Sequence, residues 1–243
     1  MKHFLVSWGV WPAIVMVLGQ LETARIFQTT YPTQLAALTL AGTLTVYGAD
    51  RWLERITLVN LEARHRRRHV QDLVFFLLIP ALLLYAQPFS QLDRAAWLLS
   101  LGLLGSAYLL TTVGRLPNLV ITKEILGGAC FSWLIVGGFQ IQTSIPLLLF
   151  FGLGLANFLA SSYQDRSRDE ANRLKSPAVS YPRATRVTAS TIALLTAGAA
   201  FSQLGITSSL AWAALAHGLF PLNKGYSIDY ALTPFLATLV FLF

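Results

Sequence analysis

Apolar residues in this chain neither alternate in twos nor keep to one narrow helical stripe; they come in long uncharged runs broken by short polar turns. A bilayer core of roughly 30 Å takes about 20 mainly apolar residues per helix. Dividing the runs at their turn residues leaves segments at 4–21, 28–49, 73–90, 95–114, 124–140, 144–163, 187–203, 207–222 and 227–243. Two uncharged stretches hold a pair of helices each, divided at QIQTSIP (140–146) and at QLGITSS (203–209). Unbroken apolar character excludes a β-barrel, whose strands alternate every second residue. The pattern predicts an all-α membrane bundle of nine transmembrane helices, a single domain over 1–243.

Composition agrees: 55% of the 243 residues are hydrophobic and 12% charged, the profile of a membrane-embedded chain. The net charge of +7 would suit nucleic acid on a soluble surface, but the basic residues fall in the gaps between apolar runs. With a cytoplasmic N-terminus, 16 of the 18 Lys and Arg lie on that side and only Arg25 and Arg94 face outward, which is the positive-inside pattern. Membrane lipids are therefore expected partners and nucleic acid is not. Lys2 and the apolar run after it imitate a signal peptide, but no convincing small-residue cleavage site follows, so this run is expected to be the first helix. The single cysteine, Cys130, is expected to be a packing residue.

Two charged stretches interrupt this regularity. YGADRWLER (47–55) closes the second segment and QDRSRDE (164–170) closes the sixth, both at cytoplasmic ends. Each reads Asp-Arg-x-x-acid: Asp50, Arg51 and Glu54, then Asp165, Arg166 and Asp169. On a helix, residues i and i+4 share a face, so each stretch presents two carboxylates in one direction, where they repel by a few tenths of a kcal/mol. A divalent cation removes that repulsion, and magnesium is usually shared between one or two carboxylates and substrate phosphates. Facing acidic helix ends above an apolar bundle suit a magnesium-borne diphosphate with a hydrocarbon tail, as in an isoprenyl diphosphate. Tyr47, three residues before Asp50, shares its face and is a candidate donor to a phosphate. The bland alternative is a set of ordinary ion pairs, Asp50 with Arg55 or Asp165 with Arg168, contributing about 0 to 1 kcal/mol.

The two motifs and the helix count resemble the UbiA superfamily of intramembrane prenyltransferases. Its members have nine helices, an Asn-Asp-x-x-Asp-x-x-x-Asp motif ending the second and an Asp-x-x-x-Asp motif ending the sixth. QDRSRDEANRLKSPA looks like the second motif and the loop after it, with Lys175, Ser176 and Ala178 at the loop's Lys-Ser-x-Ala. LPNLVITKEILGGACFSW (116–133) looks like the region where a basic loop leads into a glycine-bearing fifth helix. The resemblance implies Mg2+ held by the catalytic acids Asp50, Glu54, Asp165 and Asp169, with Arg115, Lys123, Arg166 and Lys175 contacting the diphosphate. It implies transfer of a prenyl group to an aromatic or other lipophilic acceptor, in a plasma membrane such as the bacterial inner membrane, with the motif loops cytoplasmic.

The first motif departs from the family pattern. Val46 stands where the family has Asn, Tyr47 where it has the first Asp, and Glu54 replaces the last Asp. A non-catalytic descendant would carry such changes, so the alternative is a UbiA-like membrane subunit binding a lipid, quinone or pigment within a larger complex.

Other features have two readings each. RHRRRH (64–69) steers anions toward the site or anchors the chain beside anionic lipid heads. His65 and His69 have metal-ligand spacing, but the flanking arginines favour a solvated pair. Asn157, Ser161 and Ser162 form a polar stripe that lines the head-group cavity or bonds neighbouring helices. Glycines 127, 128, 137, 138, 152 and 154 are expected at close helix contacts.

Overall fold

A computed structural model describes residues 9–31, 33–57, 92–112, 121–139, 144–172, 174–223 and 225–242. The expected segment 73–90, the basic run 64–69 and Arg115 lie outside them. Among the described residues the chain is all-helical, with no strand. The α-helices are α1 (Val10–Ile26), α2 (Thr33–Thr57), α3 (Leu92–Thr112), α4 (Thr122–Val136), α5 (Ser144–Ala171), α6 (Pro177–Ser180), α7 (Pro182–Leu204) and α8 (Ser209–Leu219). A 3₁₀ turn, Gly137–Phe139, continues α4, and a 3₁₀ segment, Ile228–Leu242, closes the chain. Two helices, α5 and α7, are long and apolar enough to cross a membrane.

Local chemistry sets the helix ends. Pro182 opens α7 at a first-turn position, where its missing N–H costs nothing. Gly205 closes it at φ 80°, a conformation that an L side chain resists. Ser208 then caps α8, its Oγ accepting from Ala211 N at 3.3 Å. Ser176 caps the short α6 in the same way through Val179 N.

The larger of two apolar clusters joins α1, α4, α5, α7, α8 and the 3₁₀ segment. Phe150 is central, its ring 6.4 Å from Phe131 and 6.1 Å from Phe235. All six glycines singled out above sit at helix contacts. The tightest backbone approach is between α4 and α5, where a Cβ on Gly128 would fall 3.0 Å from Leu155 N and one on Gly154 3.1 Å from Gly128 Cα. Small residues at this seam let the two backbones meet.

Several helix ends differ from expectation; α2 runs on to Thr57 and α5 to Ala171, each carrying its acidic motif as helix. α1 runs on to Ile26 through Glu22 and Arg25, because those charges satisfy each other. Glu22 is fully buried; Arg25 Nε and Nη2 donate to its two oxygens, both at 2.9 Å. Ser208 Oγ and Ser209 N complete its shell at 3.0 and 2.9 Å, so one carboxylate also ties α1 to the start of α8. The final apolar run is 3₁₀ rather than α, with Pro234 inside it, and a proline withholds one backbone donor from any α-helical ladder.

Candidate functional site

Three helix ends meet at the acidic motifs. α2 brings Asp50, α4 brings Lys123 and Glu124 in its first turn, and the last turns of α5 bring Asp165 and Asp169. Asp50, Glu124 and Asp169 are each less than a tenth exposed. Lys123 Nζ stands 4.0 Å from Asp50 Oδ1 and 5.4 Å from the centre of the Tyr108 ring. It also lies within electrostatic reach of both Glu124 and Asp169. Glu124 accepts from Ser162 Oγ at 2.5 Å, and the Ser176 side chain lies beside Asp169. Arg168 Nη2 sits 3.1 Å from Asp165 Oδ2 and 3.8 Å from Asp169 Oδ1. The close seam at Gly128 and Gly154 produces this meeting, since Glu124 lies one turn from Gly128 on the same side of α4.

The residues expected at a site are thus partly gathered. Asp50, Lys123, Asp165 and Asp169 share one end of the bundle. Glu54 lies one turn beyond Asp50 on α2, with its side chain outside the described residues. Lys175 is exposed beside Ser176 in the link from α5 to α6. Arg166 lies instead against the Tyr163 ring, 5.5 Å from its centre, together with Arg186 of α7 at 5.9 Å. Tyr47 packs on the start of α1, where a Cβ on Gly9 would fall 2.8 Å from its ring.

Asn157 belongs to a second polar group. Its Nδ2 donates to Asp229 Oδ1 at 3.1 Å, which leaves Oδ1 to accept from Nε2–H of the buried His217 at 2.8 Å. Ser227 Oγ donates to Asp229 Oδ2 at 2.9 Å. This chain bonds α5, α8 and the 3₁₀ segment, the helix-linking use of the polar stripe, as does Ser162. Sequence reasoning passed over Glu124, His217 and Asp229. Glu124 had a signal, an acid next to Lys123 at a helix start; His217 and Asp229 find Asn157 only through the fold.

Among the described residues, no group of three or more His, Cys, Asp or Glu side chains is arranged to hold a metal ion. Magnesium does not need such a cage, because it keeps several waters and takes one or two carboxylates together with substrate phosphates. The carboxylates here meet in pairs: Asp50 faces Lys123, Glu124 and Asp169 lie within electrostatic reach of each other, and Arg168 bridges Asp165 and Asp169. Comparison with protein-family models, curated proteins and solved structures finds no match.

Proposed function

We propose that the chain is a nine-span, UbiA-like intramembrane prenyltransferase with a cytoplasmic N-terminus. It would move a prenyl group from an isoprenyl diphosphate to an aromatic or other lipophilic acceptor. The observation that supports this reading is the position of Lys123, 4.0 Å from Asp50 and within electrostatic reach of Asp169, a cation near both of two motifs 115 residues apart. Asp50 with Glu54, and Asp165 with Asp169, would hold Mg2+, whose charge would offset that of the departing diphosphate. Lys123, with Arg115 and Lys175 from the connecting segments, would bind the diphosphate oxygens by charge-assisted hydrogen bonds. Arg166 sits with Arg186 and would reach the diphosphate from the α7 side. Apolar walls would keep water from the allylic carbon until the acceptor captures it.

The test is binding of a non-hydrolysable geranylgeranyl diphosphate analogue to purified protein with and without Mg2+, repeated on Asp165→Asn. Magnesium-dependent binding that the variant loses supports the site. Binding that ignores both magnesium and the substitution overturns it.

A second reading has its own observation. Arg168 spans Asp165 and Asp169, and carboxylates already closed by an arginine suit a non-catalytic subunit that holds a lipid, quinone or pigment in a membrane complex. Absence of analogue binding under all conditions favours this reading.

A further inference from the structure

A lysine carries its charge on a flexible four-carbon stem, so an ammonium keeps one place only where its neighbours hold it. Lys123 Nζ lies 4.0 Å from Asp50 Oδ1, beyond hydrogen-bonding distance. It lies 5.4 Å from the centre of the Tyr108 ring, within the range of cation–π attraction. Arg168, the other cation among the motif acids, is held by a carboxylate, with Nη2 3.1 Å from Asp165 Oδ2. A hydrogen-bonded carboxylate neutralises the cation it holds, whereas an aromatic face attracts an ammonium without neutralising it. A ring can therefore fix a charge that a bound anion has still to meet.

The Tyr108 ring is itself braced by α4 and α5. Lys123 and Gly127 are one turn apart on α4 and share a face. A Cβ on Gly127 would fall 2.7 Å from the Phe158 ring, so the missing side chain lets Phe158 of α5 seat against α4. The Tyr108 ring of α3 meets Phe158 edge to face, with 5.8 Å between centres and 66° between planes, an arrangement that aromatic pairs prefer. The contacts thus run from Gly127 through Phe158 and Tyr108 to Lys123, leaving α4 and returning to it one turn away.

We propose that Tyr108 is a positioning residue: its ring, braced by Phe158, holds the Lys123 ammonium in the place where it meets the diphosphate. The inference rests on the diphosphate reading of the site. Tyr108 touches no substrate in this role; it spares Lys123 the ordering that a free lysine would undergo when the diphosphate arrives. Ordering one flexible side chain on binding costs a factor of about two to ten in affinity.

The test is the affinity of the non-hydrolysable geranylgeranyl diphosphate analogue, with Mg2+ present, for the full chain as wild type, Tyr108→Phe, Tyr108→Leu, Lys123→Met and Tyr108→Leu/Lys123→Met. Tyr108→Phe keeps the ring and should bind as the wild type does. Tyr108→Leu keeps an apolar side chain without a ring and should bind about two- to tenfold more weakly. In the Lys123→Met background the same change should have no further effect, which a general loosening of the bundle would not reproduce. If Tyr108→Leu does not fold, Phe158→Leu, which removes the brace, should weaken binding in the wild type and not in Lys123→Met. The proposal is overturned if Tyr108→Leu binds as tightly as the wild type, if Tyr108→Phe falls as far as Tyr108→Leu, or if the loss is undiminished in the Lys123→Met background. Those three results leave the diphosphate site standing, whereas a wild type that binds no analogue overturns the site and the positioning role together.

Discussion

Glu22 shows how a charge becomes tolerable inside an apolar bundle. Its carboxylate receives two hydrogen bonds from Arg25, one from Ser208 and one from Ser209 N, and the last places it at the positive end of α8. Removing it takes from Arg25 its carboxylate partner and leaves α8 without this acceptor. Breaking a buried pair costs about 3–5 kcal/mol, and the 24% exposure of Arg25 lets water recover part of that. Glu22→Ala should therefore lose about 2–4 kcal/mol of stability. In chemical unfolding, Glu22→Ala/Arg25→Met should lose less than the sum of its single variants, since the pair is coupled. Asp50 behaves differently: its contact with Lys123 is long, at 4.0 Å, with the lysine 36% exposed, so loss of that ion pair in Asp50→Asn should contribute about 1 kcal/mol or less. Under the proposed function its effect should fall on Mg2+-dependent turnover, which should be lost; an Asp50→Asn protein with wild-type turnover would remove Asp50 from the proposed metal site.

Among the elements, the α4–α5 seam links packing to the site. A side chain at Gly128 meets the backbone of Leu155, which cannot yield as a flexible side chain would. Gly128→Val should cost about 1–3 kcal/mol and, by moving Glu124 and Lys123 away from α5, weaken analogue binding as well. Gly198, where a Cβ would meet nothing within 4 Å, supplies the contrast: Gly198→Ala should stabilise by up to about 1 kcal/mol and leave binding unchanged. The seam was legible in the sequence because small residues in an apolar run have few other uses, and the motif acids were legible because charges ending such a run stand out. The end of α1 was not legible. Glu22 and Arg25 look like a loop to any reading of hydropathy, and only their mutual pairing keeps them helical. Nor was the Asn157 network, whose partners lie 60 and 72 residues away. An apolar run likewise carries no mark that separates i+3 from i+4 hydrogen bonding, so the 3₁₀ form of Ile228–Leu242 was hidden. That form matters for length: fifteen residues rise about 30 Å as 3₁₀ but only about 22 Å as α-helix.

The whole molecule sorts its polar contacts by end, and that sorting tests the proposed topology. Glu22 ties the C-terminal end of α1 to the turn before α8. At the other end Gln164 Nε2, next to Asp165 on α5, donates to Leu222 O and Tyr226 O at 3.3 and 2.7 Å. Thr207 and Tyr226, both exposed, thus belong to opposite ends although α8 between them has only 11 residues, about 17 Å of helix. That is little more than half of a 30 Å core, so the turns flanking α8 must carry the chain through the remaining depth. In a Cys130→Ala background, a membrane-impermeant maleimide should label Thr207→Cys from the outer side, and Tyr226→Cys and Lys175→Cys from the cytoplasmic side. Labelling of Thr207→Cys and Tyr226→Cys from one side would make α8 a re-entrant hairpin arm. The 3₁₀ segment would then start from that shared side, and the nine-span count would fall.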